Sequence, residues 1–267
     1  MSLFQKATKH KAKLRMAIDG PSGSGKTYTA LNIAQYLSPD SRIAVVDTEH
    51  GSASKYSDVF DFDVSELDTF HPQRFVDRIH EAEKAGYEVL ILDSLSHAWV
   101  GKDGVLALLD QEAKRNKSGN SFAAWKDVTP IHQMLIDAIL AADMHIIFTL
   151  RTKTEYCVEA DDRGKMTPRK IGLAPIQRDG LEYEADIVAD MDLENNMVIS
   201  KTRCSALTGR VFAKPGEEVA KILAEWLSDG AEPVKPEPPR CETKGCGAEI
   251  EAIPHLSMSV ALVVETS

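Results

Sequence analysis

The feature that most constrains this chain is a glycine-rich run between an apolar segment and a helix-forming segment. Residues 20–27 read GPSGSGKT and fit the pattern G-x-x-x-x-G-K-[ST] at every fixed position. Residues 14–18 predict a buried strand before the run, and residues 29–37 predict a helix after it. This order is the one that a phosphate-binding loop requires. The alternative interpretation is a glycine- and serine-rich turn that only caps a helix.

Each part of this loop has an expected role in binding a nucleotide. Glycines let the backbone wrap around a phosphate chain, and N–H groups at a helix start supply donors. Lys26 is expected to reach the β- and γ-phosphates, and Thr27 is expected to ligate Mg²⁺. The predicted nucleotide-binding residues are Gly20, Pro21, Ser22, Gly23, Ser24, Gly25, Lys26, Thr27 and Tyr28.

Strand and helix signals alternate through most of the chain. Further buried strands are predicted at 42–47, 87–93 and 144–150, and helices at 72–85, 104–114, 123–142 and 217–227. Continuous apolar strands separated by helices predict an α/β fold with a mostly parallel sheet covered on both faces. Beyond residue 151 the pattern predicts short β-like pieces at 156–159 and 170–173, then an antiparallel pair at 185–191 and 196–201.

Segment composition divides the 267 residues into four parts. We expect a basic N-terminal arm at 1–13, an α/β core at 14–229, a proline-rich linker at 230–240 and a tail at 241–267. A net charge of −10 argues against a general nucleic-acid coat. The chain has few cysteines, its N-terminus lacks the apolar core of a signal peptide, and it has no long apolar run. These features predict a cytoplasmic protein without a membrane span.

Two acidic residues at strand ends extend the nucleotide hypothesis. Asp93 follows the apolar run at 89–92. In proteins with a phosphate loop, an acidic residue at the end of a neighbouring buried strand holds Mg²⁺ directly or through water, and Asp93 is expected to do so here. Ser94 follows it, so a carboxylate that activates water must come from another segment. Glu49, just beyond the second predicted strand, opens on the same edge of the sheet and could orient water for attack on the γ-phosphate. A solvent-facing loop glutamate is the alternative.

With these residues in place, the chain resembles the RecA/KaiC-type core of P-loop ATPases. Residues 47–50, DTEH, are similar to an Asp-Ala-Glu-His run of bacterial RecA proteins, and 93–94 are similar to their Asp-Ser. The resemblance covers about 14–227 and is closest to compact phage-type AAA-family nucleotide-binding proteins, some of which act in single-strand annealing and recombination. It implies a RecA-like fold, ATP with Mg²⁺ as cofactors, and Glu49 as the catalytic glutamate.

The resemblance also implies a site shared between subunits. Residues 199–203, ISKTR, resemble the late Lys-x-Lys or Lys-x-Arg strand of RecA-like proteins, whose cations reach a neighbour's γ-phosphate. Lys201 and Arg203 would take that role in a homo-oligomer, although an exposed strand pair fits them as well. RecA has a γ-phosphate-sensing glutamine near the end of its fourth strand. Arg151 stands nearby here, and it could contact the γ-phosphate or begin a basic loop.

Two basic segments predict contact with single-stranded DNA, since phosphate contacts and base stacking supply affinity there. One segment is 114–120, with Phe122 and Trp125 nearby, although Trp125 also fits a helix core. The other is 153–178. Its candidate DNA-binding residues are Lys153, Arg163, Lys165, Arg169 and Lys170.

The tail contains half of a zinc-ribbon pattern. Cys241 and Cys246 flank a glycine, and thiolates spaced in this way can share Zn²⁺. His255 could be a third ligand, and no fourth follows before residue 267. An incomplete ribbon or two free cysteines are the two interpretations.

These observations predict an Mg²⁺-dependent ATPase that acts on single-stranded DNA in phage recombination or replication. Two other functions remain open. A P-loop kinase could use Arg163, Arg169 and Arg178 as a lid. A non-catalytic, nucleotide-gated regulator of KaiC type would bind ATP without needing Glu49.

Overall fold

The structure is a computed structural model that describes residues 6–115, 121–160 and 166–231. The side chains at 121, 155–160 and 166–171 are outside this description. Within these ranges the strands are β1 (Arg15–Gly20), β2 (Ile43–Asp47), β3 (Asp63–Glu66), β4 (Val89–Asp93), β5 (His145–Ala160), β6 (Met166–Pro175), β7 (Ile187–Met191), β8 (Asn196–Thr202) and β9 (Val211–Ala213). The helices are α1 (Lys26–Leu37), α2 (Pro72–Ala85), α3 (Ser96–Val100), α4 (Val105–Arg115), α5 (Ser121–Ala141), α6 (Leu181–Glu184) and α7 (Glu217–Ser228).

The strands form one mixed sheet in the order β3-β2-β4-β5-β1-β7-β8-β9, with β6 paired to β5. β1 is parallel to both of its neighbours, and β2, β3, β4 and β5 are also parallel where they pair. β8 and β9 add antiparallel strands at one edge. The α/β class and the mostly parallel sheet are therefore confirmed, as is the antiparallel pair near the C-terminal end.

The sheet is covered on both faces because its central strands are apolar on both faces. One buried cluster includes Leu31 of α1 and Leu223 of α7, and the other includes Phe75 of α2 and Leu135 of α5. Ile91 of β4 belongs to the first cluster, whereas its neighbours along the strand belong to the second. This arrangement places the carboxyl ends of β1, β2 and β4 at one common edge with the middle of β5, and the chemistry of such folds lies at that edge.

The structure differs most from the prediction after residue 150. The predicted strand at 144–150 continues as the 16-residue β5, which leaves the main sheet and pairs antiparallel with β6. The pairing runs from Thr152 opposite Pro175 to Ala160 opposite Met166, and we call this two-stranded extension the ribbon. The apolar run ends at Leu150, and the exposed Arg151 and Lys153 follow it. The short elements β3, α3, α6 and β9 have no strong periodicity, and the sequence analysis missed them.

The end of the predicted N-terminal arm lies against the end of α7. Lys9 Nζ is 2.8 Å from an Asp229 carboxylate oxygen, and Lys11 N donates to Ala231 O over 2.9 Å. Ala12 N donates to Leu227 O over 3.2 Å. The segment just before β1 is therefore attached to the core. Apart from Gly230 and Ala231, the predicted linker and tail are outside the described residues.

Candidate active site

The glycine-rich loop connects the end of β1 to the start of α1, as predicted. Gly20 has φ 153°, and a Cβ there would lie 2.6 Å from Met191 O on the neighbouring β7. Gly25 is in the left-handed region with φ 84°, directly before α1. A Cβ at Gly25 would approach Asn195 Nδ2 to 3.0 Å. The two fixed glycines of the motif are therefore required by backbone conformation and by close neighbours.

Lys26 lies across this loop. Its ammonium donates to Gly20 O over 2.9 Å and to Pro21 O over 2.8 Å. Burial lowers the pKa of Lys26, while the nearby Asp93 and Glu49 carboxylates act in the opposite direction. Since the first turn of any helix leaves N–H groups without intrahelical partners, the start of α1 and the Lys26 ammonium together form a site suited to an anion.

Asp93 is buried at the end of β4 and is held by two hydroxyl groups. Thr27 Oγ1 donates to Asp93 Oδ2 over 2.7 Å, and Thr149 Oγ1 donates to Asp93 Oδ1 over 2.5 Å. Burial raises the pKa of Asp93, and the two hydroxyl donors oppose that rise. A hydroxyl and a carboxylate at this separation fit Mg²⁺, which takes few protein oxygens and keeps its other positions for water and phosphate.

Glu49 sits in a turn that is built by the residues before it. One Asp47 carboxylate oxygen accepts from Glu49 N over 2.5 Å, and the other accepts from Ala53 N over 2.9 Å. Thr48 Oγ1 joins this turn to the end of β4, because it accepts from Ser94 N over 2.8 Å. The turn therefore fixes Glu49 at the carboxyl edge, as predicted.

Glu49 and Arg151 form a two-bond ion pair. Arg151 Nε donates to Glu49 Oε1 over 2.8 Å, and Nη2 donates to Oε2. Burial alone would raise the pKa of Glu49, but the hydrogen bond and charge of Arg151 outweigh it and lower the pKa. The hydrogen bond to Glu49 raises the pKa of Arg151. Because β4 lies between β2 and β5, this pair spans the strand end that carries Asp93.

An aromatic cluster lies beside the loop. The Tyr28 ring packs edge-on against Tyr56 at 5.8 Å and against Phe60 at 5.1 Å between centroids. Tyr28 was among the predicted nucleotide-binding residues and is 42% exposed. The sequence analysis missed Tyr56 and Phe60, and no motif marks them. An exposed ring next to a phosphate loop suits stacking against a flat group such as a base.

Lys201 lies on β8 and Arg203 directly follows its end, and both side chains reach the segment at 182–186. Lys201 Nζ donates to the carbonyl oxygens of Glu182, Tyr183 and Ala185 over 2.7, 2.8 and 2.6 Å. Arg203 Nη1 donates to Asp186 Oδ1 over 2.8 Å. In a single chain these cations are bound to the region of α6, and they are not brought to Glu49.

A cavity opens beside the loop at Gly20. It has a volume of about 1080 Å³ and is lined by Asp19, Asp190 and Lys201 among others. Burial, followed by the charge and hydrogen bond of Asp190, raises the pKa of Asp19 to about 8. The sequence analysis missed this carboxyl pair, because its members lie on β1 and β7 and become neighbours only when those strands pair.

The remaining predicted sites are only partly within the described structure. Lys153 is exposed at the base of the ribbon. Arg169 and Lys170 lie on β6, and their side chains are not described; Arg163, Lys165, Cys241 and Cys246 lie outside the described residues. In the described part of the chain, no group of three or more His, Cys, Asp or Glu side chains could hold a metal ion. No helix in that part is long and apolar enough to span a membrane.

The family to which the chain is similar agrees with the loop geometry. A family model described as an AAA domain matches residues 12–229. Among 106 matching solved chains is one described as an ATPase domain. It is 12% identical with a TM-score of 0.43, over 76% of this chain and 80% of that chain. No curated protein sequence matches.

Proposed function

Because the chain belongs to a family of AAA domains, we propose that it hydrolyses ATP with Mg²⁺ and acts as an oligomer on single-stranded DNA in phage recombination or replication. The observation that carries the hydrolytic part is the convergence of Lys26, Thr27, Asp93 and Glu49 on one sheet edge. The phage setting rests on the sequence resemblance alone.

In the proposed mechanism the loop binds the triphosphate. Backbone N–H groups at the start of α1 and the Lys26 ammonium would donate to phosphate oxygens, and Lys26 would exchange its contacts with Gly20 O and Pro21 O for them. Thr27 and Asp93 would hold Mg²⁺, which supplies charge neutralisation at the β- and γ-phosphates. Tyr28 would lie beside the nucleotide.

Glu49 would orient the attacking water. A carboxylate with a low pKa is fully ionised at neutral pH and can accept a hydrogen bond from water. In the structure both of its oxygens accept from Arg151. We therefore expect Arg151 to exchange Glu49 for the γ-phosphate, which is a bidentate acceptor of the same charge sign. That exchange would leave Glu49 free to hold water.

Lys201 and Arg203 would complete the site of a neighbouring subunit. Their present contacts with carbonyl oxygens and Asp186 would be exchanged for phosphate contacts when subunits associate. A mixing experiment tests this step. Lys26→Ala, which cannot bind the triphosphate, should restore hydrolysis when mixed with the inactive Lys201→Ala/Arg203→Ala double variant. No restoration at any mixing ratio would contradict the shared site.

The test of the whole proposal is ATP hydrolysis at several protein concentrations, with and without single-stranded DNA. Turnover per subunit should rise with protein concentration and with DNA. Glu49→Gln should bind ATP and fail to cleave it, whereas Lys26→Ala should fail to bind. If the rate of ATP hydrolysis per subunit changes neither with DNA nor with protein concentration, the proposed action on DNA and the site shared between subunits are both wrong.

The ion pair at Glu49 also favours a second candidate, a nucleotide-gated regulator that does not hydrolyse ATP. In that case Glu49 would serve only to hold Arg151 until a triphosphate arrives. The two candidates differ in one variant, since Glu49→Gln would abolish the output of a hydrolase, whereas a regulator carrying it would still respond to bound ATP and would lose its output only with Lys26→Ala.

A further inference from the structure

A surface groove of about 860 Å³ lies between α3, the start of α5 and the base of the ribbon. We call it the aromatic–basic groove and define it by Trp99, Phe122, Trp125, Lys126, Lys153 and Arg178, which line it. It includes no residue of the phosphate loop, and it adjoins the cavity at Asp19, with which it shares Lys153, Gln177, Arg178 and Asp179.

The aromatic side chains of the groove are arranged as a platform. The Trp99 and Trp125 rings stack with centroids 5.9 Å apart and planes 23° apart. The Arg178 guanidinium lies 5.7 Å from the centroid of the Trp125 ring. Phe122 is one helical turn before Trp125 on α5, so the two share a face, and Phe122 is 84% exposed. Large exposed aromatic surface is unusual outside binding sites.

The charge of the groove is positive although the chain as a whole is acidic. Lys126, Lys153 and Arg178 contribute three cations against one anion, Asp179, among the residues that line it. The whole chain carries a net charge of −10. A positive, aromatic surface on an acidic protein fits a partner that combines negative charge with flat, unpaired rings.

We propose that this groove binds unpaired bases of single-stranded nucleic acid, with Phe122 and Trp125 stacking on bases and the three cations contacting phosphates. Stacking needs bases whose faces are free, which a duplex does not offer, and every base has such a face, so the groove would be tolerant of sequence. The inference rests on the proposed action on single-stranded DNA and assigns that action a surface.

The position of the groove connects it to the ATPase site. Lys153 is two residues after Arg151 on β5. Gln177, which also lines the groove, donates through Nε2 to Leu95 O over 3.2 Å, and Leu95 follows Asp93 by two residues. A nucleic-acid strand bound here would therefore lie beside both segments that form the ATPase site.

The test is a titration of intrinsic tryptophan fluorescence with a thymidine oligonucleotide in the absence of nucleotide. The chain has three tryptophans, and Trp226→Phe leaves only the two in the groove. We expect the oligonucleotide to quench this emission. An abasic oligonucleotide of equal length, which keeps the phosphates, should bind at least about fivefold more weakly.

Two exposed side chains provide variants with little risk to folding. Phe122→Ala should weaken binding of the thymidine oligonucleotide by about fivefold or more and leave binding of the abasic chain unchanged. Lys126→Ala should weaken both, with a reduced dependence on salt. The matched controls are Tyr36→Ala, an exposed aromatic on α1, and Lys84→Ala on α2, and both should bind like the parent chain.

Several outcomes would overturn the proposal. The groove is not the site if the abasic oligonucleotide binds as well as the thymidine oligonucleotide, or if the groove variants bind like the controls. Action on DNA through another surface of the protein would then still stand. If no oligonucleotide binds, both proposals fall. If Phe122→Ala instead dissolves a dimer, the occupant is a second copy of the chain. Binding without any ATP hydrolysis would leave the groove standing and remove the ATPase proposal.

Discussion

The Glu49–Arg151 ion pair should contribute a measurable coupling free energy to the nucleotide-free protein. Glu49→Gln and Arg151→Ala, made separately and together, define a double-mutant cycle in urea unfolding. The two charged hydrogen bonds are of the strong kind, but the Arg151 and Glu49 side chains are 45% and 26% exposed, so solvent screens them. Exposed pairs couple by about 0.2–1 kcal/mol, and the two-bond geometry places this pair near about 1 kcal/mol.

The coupling free energy of this ion pair should also affect the affinity for a nucleotide. If the γ-phosphate replaces Glu49 as the partner of Arg151, Glu49→Gln removes the competitor. A non-hydrolysable ATP analogue should then bind about fivefold more tightly, which corresponds to about 1 kcal/mol. ADP, which has no γ-phosphate, should bind unchanged. Isothermal titration calorimetry measures both affinities.

The control uses the Arg151→Ala background, in which Glu49→Gln should no longer change the affinity for the analogue. The reasoning is refuted if the cycle gives a coupling below about 0.2 kcal/mol, the floor for exposed pairs. It is also refuted if Glu49→Gln tightens ADP and the ATP analogue equally, since the gain would then have nothing to do with the γ-phosphate.

Two further predictions concern stability. The Asp19 pKa of about 8, raised by burial and Asp190, lies above the unfolded value of about 4, so the folded chain keeps a proton that the unfolded chain releases. The free energy of unfolding should therefore fall as pH rises from about 4 to about 8, and Asp19→Asn should flatten that slope in urea titrations at each pH; an unchanged slope would contradict the assignment. The buried Arg15 guanidinium donates to backbone carbonyls at the end of α5 and just beyond it. Arg15→Met should therefore lower the free energy of unfolding in urea by about 3 kcal/mol. Arg42 is exposed, so the control Arg42→Met should lower it by less than about 1 kcal/mol. Equal losses in the two variants would contradict the role of Arg15.

The parts of the site that sequence reasoning could predict are those encoded along a single segment. The phosphate loop, Asp93 and Glu49 each follow an apolar strand, and the carboxyl ends of parallel strands meet at one edge. That rule places residues at the edge, but it does not say which side chains touch. The ion pair between Glu49 and Arg151 depends on β4 lying between their strands, and this order is not readable from periodicity.

Other features were out of reach for similar physical reasons. Thr149 lies in an apolar run, and only the pairing of β5 with β4 brings its hydroxyl to Asp93. The five-residue α3 is too short to show a helical period, yet it supplies Trp99. Trp125 was compatible with a core position or a DNA contact. The structure shows it half-buried against Trp99, with its remaining surface in the groove.

The alternation of β5 has a consequence for how its sequence can change. Thr149, Arg151 and Lys153 are spaced by two, so they project from one face of the strand toward Asp93, Glu49 and the groove respectively. Inserting one residue after Thr149 would turn both downstream side chains to the opposite face. Inserting two would keep the face and move them by about 6.6 Å along the strand. Length changes in this segment should therefore be tolerated in the outer ribbon and excluded between these three positions.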